Sequence, residues 1–251
     1  ITLPTSAYSS RAKSIFVSGS DVYVCGIQQP TSSSNDIATV WKNGVPQNLT
    51  DVTGMAGAND IFVSGADVYV AGFEENANDI YVAKYWKNGT AVALTDGIRR
   101  AEATGIRVKD SDVHVCGMEH STATGINTFV KYWKNGAAIN LTNGNREAEP
   151  KELRISGNNI YIGGYEYWDS NNGYAKAIVW KNGIPTDLTG EVVGESAVIY
   201  GMDVKNDTVI AAGYQRDPGT GILKAKYWKN GSPVALSNGS HNGWLTGVFI
   251  K

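Results

Sequence analysis

Short runs of alternating apolar and polar residues recur along the whole chain, and no stretch shows convincing helical spacing. The clearest run is Ile61-Phe-Val-Ser64, followed by Gly65-Ala-Asp67 and then Val68-Tyr-Val-Ala71. Alternation with a period of two, broken by a tight turn, predicts two paired strands, a and b. A longer polar stretch leads to Tyr81-Val-Ala-Lys-Tyr-Trp86, strand c, then Asn88-Gly89, then Ala91-Val-Ala-Leu94, strand d. Asn-Gly is a strong hairpin signal because both residues tolerate positive φ.

The pattern repeats. Trp41-Lys-Asn-Gly44 returns at Trp86–Gly89, Trp133–Gly136, Trp180–Gly183 and Trp228–Gly231. Strand a restarts at Ile15, Ile61, Ile106, Leu153 and Met202, at spacings of 46, 45, 47 and 49 residues, and Val248-Phe-Ile-Lys251 opens another copy 46 residues on. Four strands per repeat at this period predict an all-β β-propeller of antiparallel blades, because stacked sheets bury faces that one sheet leaves bare. A single domain over residues 1–251 is expected. Trp41, Trp86, Trp133, Trp180 and Trp228 are expected to wedge between neighbouring sheets rather than to stack on glycans.

Ile1-Thr-Leu-Pro4 aligns with strand d and Val248–Lys251 with strand a. Five complete repeats plus a partial sixth formed by the two termini are therefore expected. Exposed strand edges are avoided in proteins, so missing sequence or another chain is expected to complete the sixth.

The Val-Tyr-Val-x-Gly and Trp-Lys-Asn-Gly strings, spread over nearly the whole chain, resemble the tandem-repeat propellers of bacterial exported proteins. The resemblance implies the propeller fold and is silent on activity. A first residue Ile1 in place of Met fits a removed leader or a trimmed chain, and with the resemblance it gives an extracytoplasmic expectation.

Composition narrows the functional classes. Charged residues are 18% of 251, the formal net charge is −2, and no Lys/Arg run marks a nucleic-acid surface. No apolar run is long enough to cross a bilayer. Cys25 and Cys116 share a repeat position held elsewhere by Ala71, Gly163 and Ala212, which predicts buried thiols too far apart to bond. His114, His120 and His241 lack metal spacing. No nucleophile-elbow, phosphate-loop or zinc-protease string occurs, and no cofactor is expected.

Strand direction gathers the d-to-a and b-to-c loops at one end, where the repeats vary most. The b-to-c loops open on Gln28, Glu74, Glu119, Glu166 and Gln215, read either as acceptors for a ligand or as caps of neighbouring turns. Trp168 and Trp244 have no counterparts in other repeats, and Tyr167, Tyr174 and Tyr200 also leave the consensus. Aromatics beside Asp, Asn and Glu suit stacking on sugar rings or anchoring a protein. On strand a, Phe16, Phe62, Arg107, Arg154, Asp203 and Phe249 are equivalent. Of these, Arg107, Arg154 and Asp203 are expected to line the channel, with Arg154 placed to pair with Asp203.

The expected function is non-enzymatic binding of a glycan or protein through Trp168, Trp244, Tyr167, Tyr174, Glu166, Glu119 and Glu74. One alternative is a carbohydrate-active hydrolase or lyase, for which Glu102, Glu149, Glu166 and Asp203 are the available carboxylates. Another is a structural repeat module of a larger surface protein.

Overall fold

The computed structural model describes residues 7–122 and 125–251. The strand expected at Ile1–Pro4 lies outside the described residues. Two compact units emerge: Ile1–Gly125 with Lys131–Ile139, and Ile126–Val130 with Asn140–Lys251.

The described residues form five four-stranded antiparallel sheets, each with its strands in chain order. The first holds β1 (Ser9–Ser18), β2 (Asp21–Gln29), β3 (Ile37–Lys42) and β4 (Val45–Asn48). The second holds β5 (Ala56–Ser64), β6 (Asp67–Glu75), β7 (Tyr81–Lys87) and β8 (Thr90–Ala93). The third holds β9 (Ala101–Lys109), β10 (Asp112–His120), β11 (Thr128–Lys134) and β12 (Ala137–Asn140). The fourth holds β13 (Ala148–Ser156), β14 (Asn159–Asp169), β15 (Tyr174–Lys181) and β16 (Ile184–Asp187). The fifth holds β17 (Ala197–Lys205), β18 (Thr208–Arg216), β19 (Leu223–Lys229) and β20 (Ser232–Ala235).

Each residue of the Trp-Lys-Asn-Gly string has a physical task. Asn43 and Gly44 take φ of 52° and 86°, so the c-to-d turn twists with its strands. The Asn43 side chain accepts the Val22 N–H at 2.8 Å and donates to Asp21 at 2.8 Å. Lys42 closes an ion pair with Asp21 at 2.8 Å. Lys87 with Asp67 and Lys134 with Asp112 repeat it at 2.9 and 2.6 Å. The five tryptophans are at most 1% exposed. In unit 1, Trp86 packs with Tyr23, Cys25 and Val40 of the first sheet, and Trp133 with Tyr69, Ala71 and Ala83 of the second. In unit 2, Trp228 packs with Tyr161, Ala177 and Val179 of the fourth. The recurring Asn-Leu-Thr strings are explained by strand edges: the Thr50 hydroxyl accepts Ala38 N–H at 3.1 Å, and Thr142 accepts Val130 N–H at 2.9 Å.

Strands a and b run further than the alternation predicts, because pairing resumes beyond a bulge in strand a. The register shifts between Ala58 and Asp60 in β5 and between Pro150 and Glu152 in β13. Opposite each bulge sits the glycine of Val-Tyr-Val-x-Gly. A Cβ on Gly72 would lie 1.9 Å from the Gly57 carbonyl oxygen, and one on Gly164 would lie 2.2 Å from that of Glu149.

Cys25 and Cys116 are buried and form no disulfide, and burial pushes the Cys25 thiol well above its ordinary range. The strand expected at Val248–Lys251 is not formed. In the five sheets strand a is ordered by pairing with strand b, whereas this segment is held by Leu245 N–H on the Gly213 carbonyl (3.1 Å) and Ile250 N–H on Asp203 (2.8 Å).

Candidate functional site

The end of unit 2 that carries the long loops concentrates aromatic and charged side chains. Glu166, Tyr167 and Trp168, expected in a loop, lie instead on β14, because its pairing with β15 continues to Asp169 opposite Tyr174. The register shifts between Tyr167 and Asp169, so Trp168 is the bulged residue. A bulge re-aims a side chain, and here Trp168 lies against Tyr174, ring centroids 5.5 Å apart and planes at 29°. The Arg216 guanidinium of β18 sits 5.9 Å from the Tyr174 ring. Trp168 Nε1 is buried and has no hydrogen-bond partner. Such a donor is costly unless something accepts from it.

Alongside, Tyr165 and Tyr167 meet edge to face at 5.5 Å, and Tyr200 and Tyr214 approach to 6.0 Å. The Tyr165 hydroxyl donates to Glu149 Oε2 at 2.7 Å, and Lys151 lies 2.6 Å from Glu149 Oε1. Burial pushes the phenols of Tyr165, Tyr167 and Tyr214 upward. The Glu149 charge adds to this for Tyr165, and those of Glu147 and Glu149 add to it for Tyr167. These hydroxyls therefore stay protonated and able to donate at neutral pH. Tyr200 is 39% exposed and Tyr167 partly so.

Glu166 points to the other face of β14. It lines a cleft of about 310 Å³ with Asn143, Lys176, Trp180 and Asp187. Arg146 lies 3.6 Å from Glu166 and 2.7 Å from Glu191, and Lys176 lies 3.0 Å from Glu191. The Arg146 guanidinium and the Lys176 ammonium hold the Glu191 carboxyl below its usual range.

The other b-to-c openers are bound differently. Glu74 pairs with Lys84 at 2.5 Å. Glu119 pairs with Lys131 at 2.6 Å and with Arg99 at 3.1 Å. Gln215 accepts from Lys226, and Gln28 is buried. Lys84, Lys131 and Lys226 stand two residues before the strand-c tryptophan, where the fourth sheet has Ile178. Glu166 therefore lacks the lysine that engages Glu74, Glu119 and Gln215.

Trp244 is 57% exposed on the segment after β20. Arg107 pairs with Asp60 at 2.6 Å, and Asp60 also accepts Ser14 Oγ and the Ile106 N–H. Arg154 Nε donates to Asp203 at 3.2 Å, and its guanidinium also engages Glu152. Glu102 pairs with Arg100 at 3.2 Å. Among the described residues, no three His, Cys, Asp or Glu side chains converge on a metal position, and no helix is long and apolar enough to cross a membrane.

Sequence reasoning missed Arg146, Tyr165, Lys176, Glu191 and Tyr214. Ile178, standing where three repeats carry lysine, was the readable signal for the cleft.

No family model and no curated protein matches the chain. Solved structures match it in fold. One is a thermostable family-43 glycoside hydrolase, at 10% identity over 94% of this chain and 96% of that one, TM-score 0.54. Another is the β-propeller domain of the Trilobed protease from Pyrococcus furiosus, at 10% identity over 93% and 69%, TM-score 0.56. A third is a protein assigned as TolB from Agrobacterium tumefaciens, at 11% identity over 91% and 81%, TM-score 0.53. The chain is thus an all-β repeat protein with a propeller-like fold.

Proposed function

We propose that this chain recognises carbohydrate at the long-loop end of unit 2, with its sheets taken as propeller blades. The observation that carries the reading is Trp168, set on a bulge of β14 and stacked on Tyr174. Sugar rings offer C–H faces to stack on such a platform and hydroxyls to exchange hydrogen bonds with charged side chains beside it. Tyr167 and Tyr200 extend the apolar surface with Glu149 as a polar contact beside it, and on the other face of β14 Glu166 and Arg146 supply polar contacts to a ligand that reaches past the strand. Glycan-array signal is expected for the intact chain and is expected to be lost in Trp168→Ala. An array signal that Trp168→Ala leaves unchanged refutes the reading.

Hydrolysis is the second reading. It is favoured by the fold likeness to a family-43 glycoside hydrolase along nearly the full length of both chains, and by Glu149, which holds a phenolic donor and an ammonium on its two oxygens. Reducing ends released from a bound glycan, and lost in Glu149→Gln, would establish it. Binding without release leaves the first reading standing.

A further inference from the structure

The sequence holds nine Asn-Gly pairs: the five hairpin pairs of the Trp-Lys-Asn-Gly strings, and Asn143-Gly144, Asn172-Gly173, Asn238-Gly239 and Asn242-Gly243. An asparagine followed by glycine can react with its own backbone, because no side chain on the next residue hinders approach to that residue's nitrogen. We propose that Asn172 is a site of such self-modification, and that its product loosens the turn that seats Tyr174 against Trp168.

The chemistry needs only water as co-reactant. The Gly173 backbone nitrogen attacks the Asn172 side-chain carbonyl carbon, forming an N–Cγ bond and releasing its proton to solvent. The Cγ–Nδ2 bond breaks, and the nitrogen leaves as ammonia. Water then opens the resulting cyclic imide at either carbonyl. One opening gives aspartate, and the other gives isoaspartate, with an extra carbon in the main chain. Attack requires the side chain to swing its carbonyl carbon onto the following nitrogen. Any hydrogen bond that fixes Oδ1, or that engages that nitrogen, must be given up first and slows the step.

Eight of the nine pairs are fixed in this way. In the hairpins, Oδ1 of Asn43, Asn88, Asn135, Asn182 and Asn230 accepts a strand-b N–H at 2.8 Å. In the first four of these Nδ2 is held as well, by Asp21, Asp67, Asp112 and Asn159. Asn143 Oδ1 accepts the Asn145 N–H at 3.0 Å, and that of Asn238 accepts the Ser240 N–H and hydroxyl at 3.1 and 2.8 Å. Asn242 Oδ1 accepts the Leu223 N–H at 2.9 Å, and the Gly243 nitrogen is itself engaged by the Leu223 carbonyl at 2.8 Å.

Asn172 differs. Among the described residues no group donates to its Oδ1, and none accepts the Gly173 N–H. Its amide nitrogen, the leaving group, donates to Asp169 Oδ2 at 2.8 Å, and its backbone N–H donates to Asp169 Oδ1 at 3.3 Å. Both residues of the pair are exposed, and a Cβ on Gly173 would meet nothing within 4 Å, so water reaches the reacting atoms. The bond from Nδ2 to Asp169 is also what the reaction destroys. The donor becomes a carboxylate facing the Asp169 carboxylate, and like charges repel. Asp169 stands opposite Tyr174 in the β14–β15 ladder, so the disturbance falls on the turn beside the Trp168–Tyr174 pair.

The full chain would be held for days in mildly alkaline buffer, folded in one arm and unfolded in guanidinium chloride in the other. After digestion, mass spectrometry of each peptide reads the conversion of amide to acid. In the folded arm Asn172 is expected to convert roughly tenfold or more faster than the other Asn-Gly asparagines. In the unfolded arm that lead is expected to vanish. A folded-state Asn172 that converts no faster than Asn43 or Asn88, or a lead that persists on unfolding, overturns the assignment. Asn172→Asp, which reproduces one product at an exposed position, is expected to speed backbone amide exchange across Asp169–Tyr174 several-fold. Unchanged exchange would overturn the loosening.

Discussion

Glu119 of the third sheet and Glu166 of the fourth hold the same repeat position in different surroundings. The Glu119 side chain is 4% exposed, with Lys131 on one oxygen and Arg99 on the other. That of Glu166 is 17% exposed, lines an open cleft, and has Arg146 no nearer than 3.6 Å. One column of strand c separates them, Lys131 against Ile178. Where the lysine is kept, the carboxylate is used up in holding β10 to β11. Where it is replaced, the same carboxylate lines the cleft with Arg146 as its ion-pair partner.

The sharpest way to break this comparison is to delete both carboxylates. Glu119→Ala strips two cations of a shared buried partner and is expected to cost about 3 kcal/mol. Glu166→Ala, at a more open ion pair, is expected to cost less than about 1 kcal/mol. Denaturant unfolding of the two variants measures both, and equal losses would erase the distinction. Next in size, Ile178→Lys restores the lysine of the other repeats. Glycan affinity is expected to fall by roughly tenfold with stability nearly unchanged, read by calorimetric titration. Retained affinity would mean that Glu166 does not face the ligand.

The smallest effect concerns His114, which takes the place of Tyr161 of the fourth sheet. It is 6% exposed, with Nδ1 2.6 Å from the Tyr132 hydroxyl. Burial lowers its pKa, with Lys134 and Lys109 acting in the same sense and Asp112 opposing them. The unfolded chain therefore binds this proton more readily. The associated stability is present above the unfolded histidine pKa of about 6.5 and drains away as pH falls toward the lower folded value. His114→Tyr is expected to flatten unfolding free energy across that acidic window by less than about 1 kcal/mol. An unchanged pH profile would show that the imidazole titrates alike in both states.

The Trp-Lys-Asn-Gly string was legible because its parts make recurring local bonds, such as Asn43 to Val22 and Asn182 to Ile160, both at 2.8 Å. Trp168 stood out because it breaks that regularity. Its seat on a bulge was not legible, since a bulge is set by the register of two strands and not by either alone. Tyr165 and Tyr214 were passed over because their column reads Ile27, Phe73 and Met118 elsewhere, an apolar run that looks like core. Ile178 was passed over for the opposite reason: an isoleucine in a strand is unremarked until set beside Lys84, Lys131 and Lys226.

The asparagine turn has a practical corollary. By fastening strand b as well as closing its own hairpin, it fixes each sheet from one end only. Segments at the far end can then change length and composition with little effect on the frame, as the varied stretches after Gln29, Glu75 and Asp169 already do. Each repeat behaves as a cassette, and recognition sequences grafted between strands b and c should be exchangeable among the five positions.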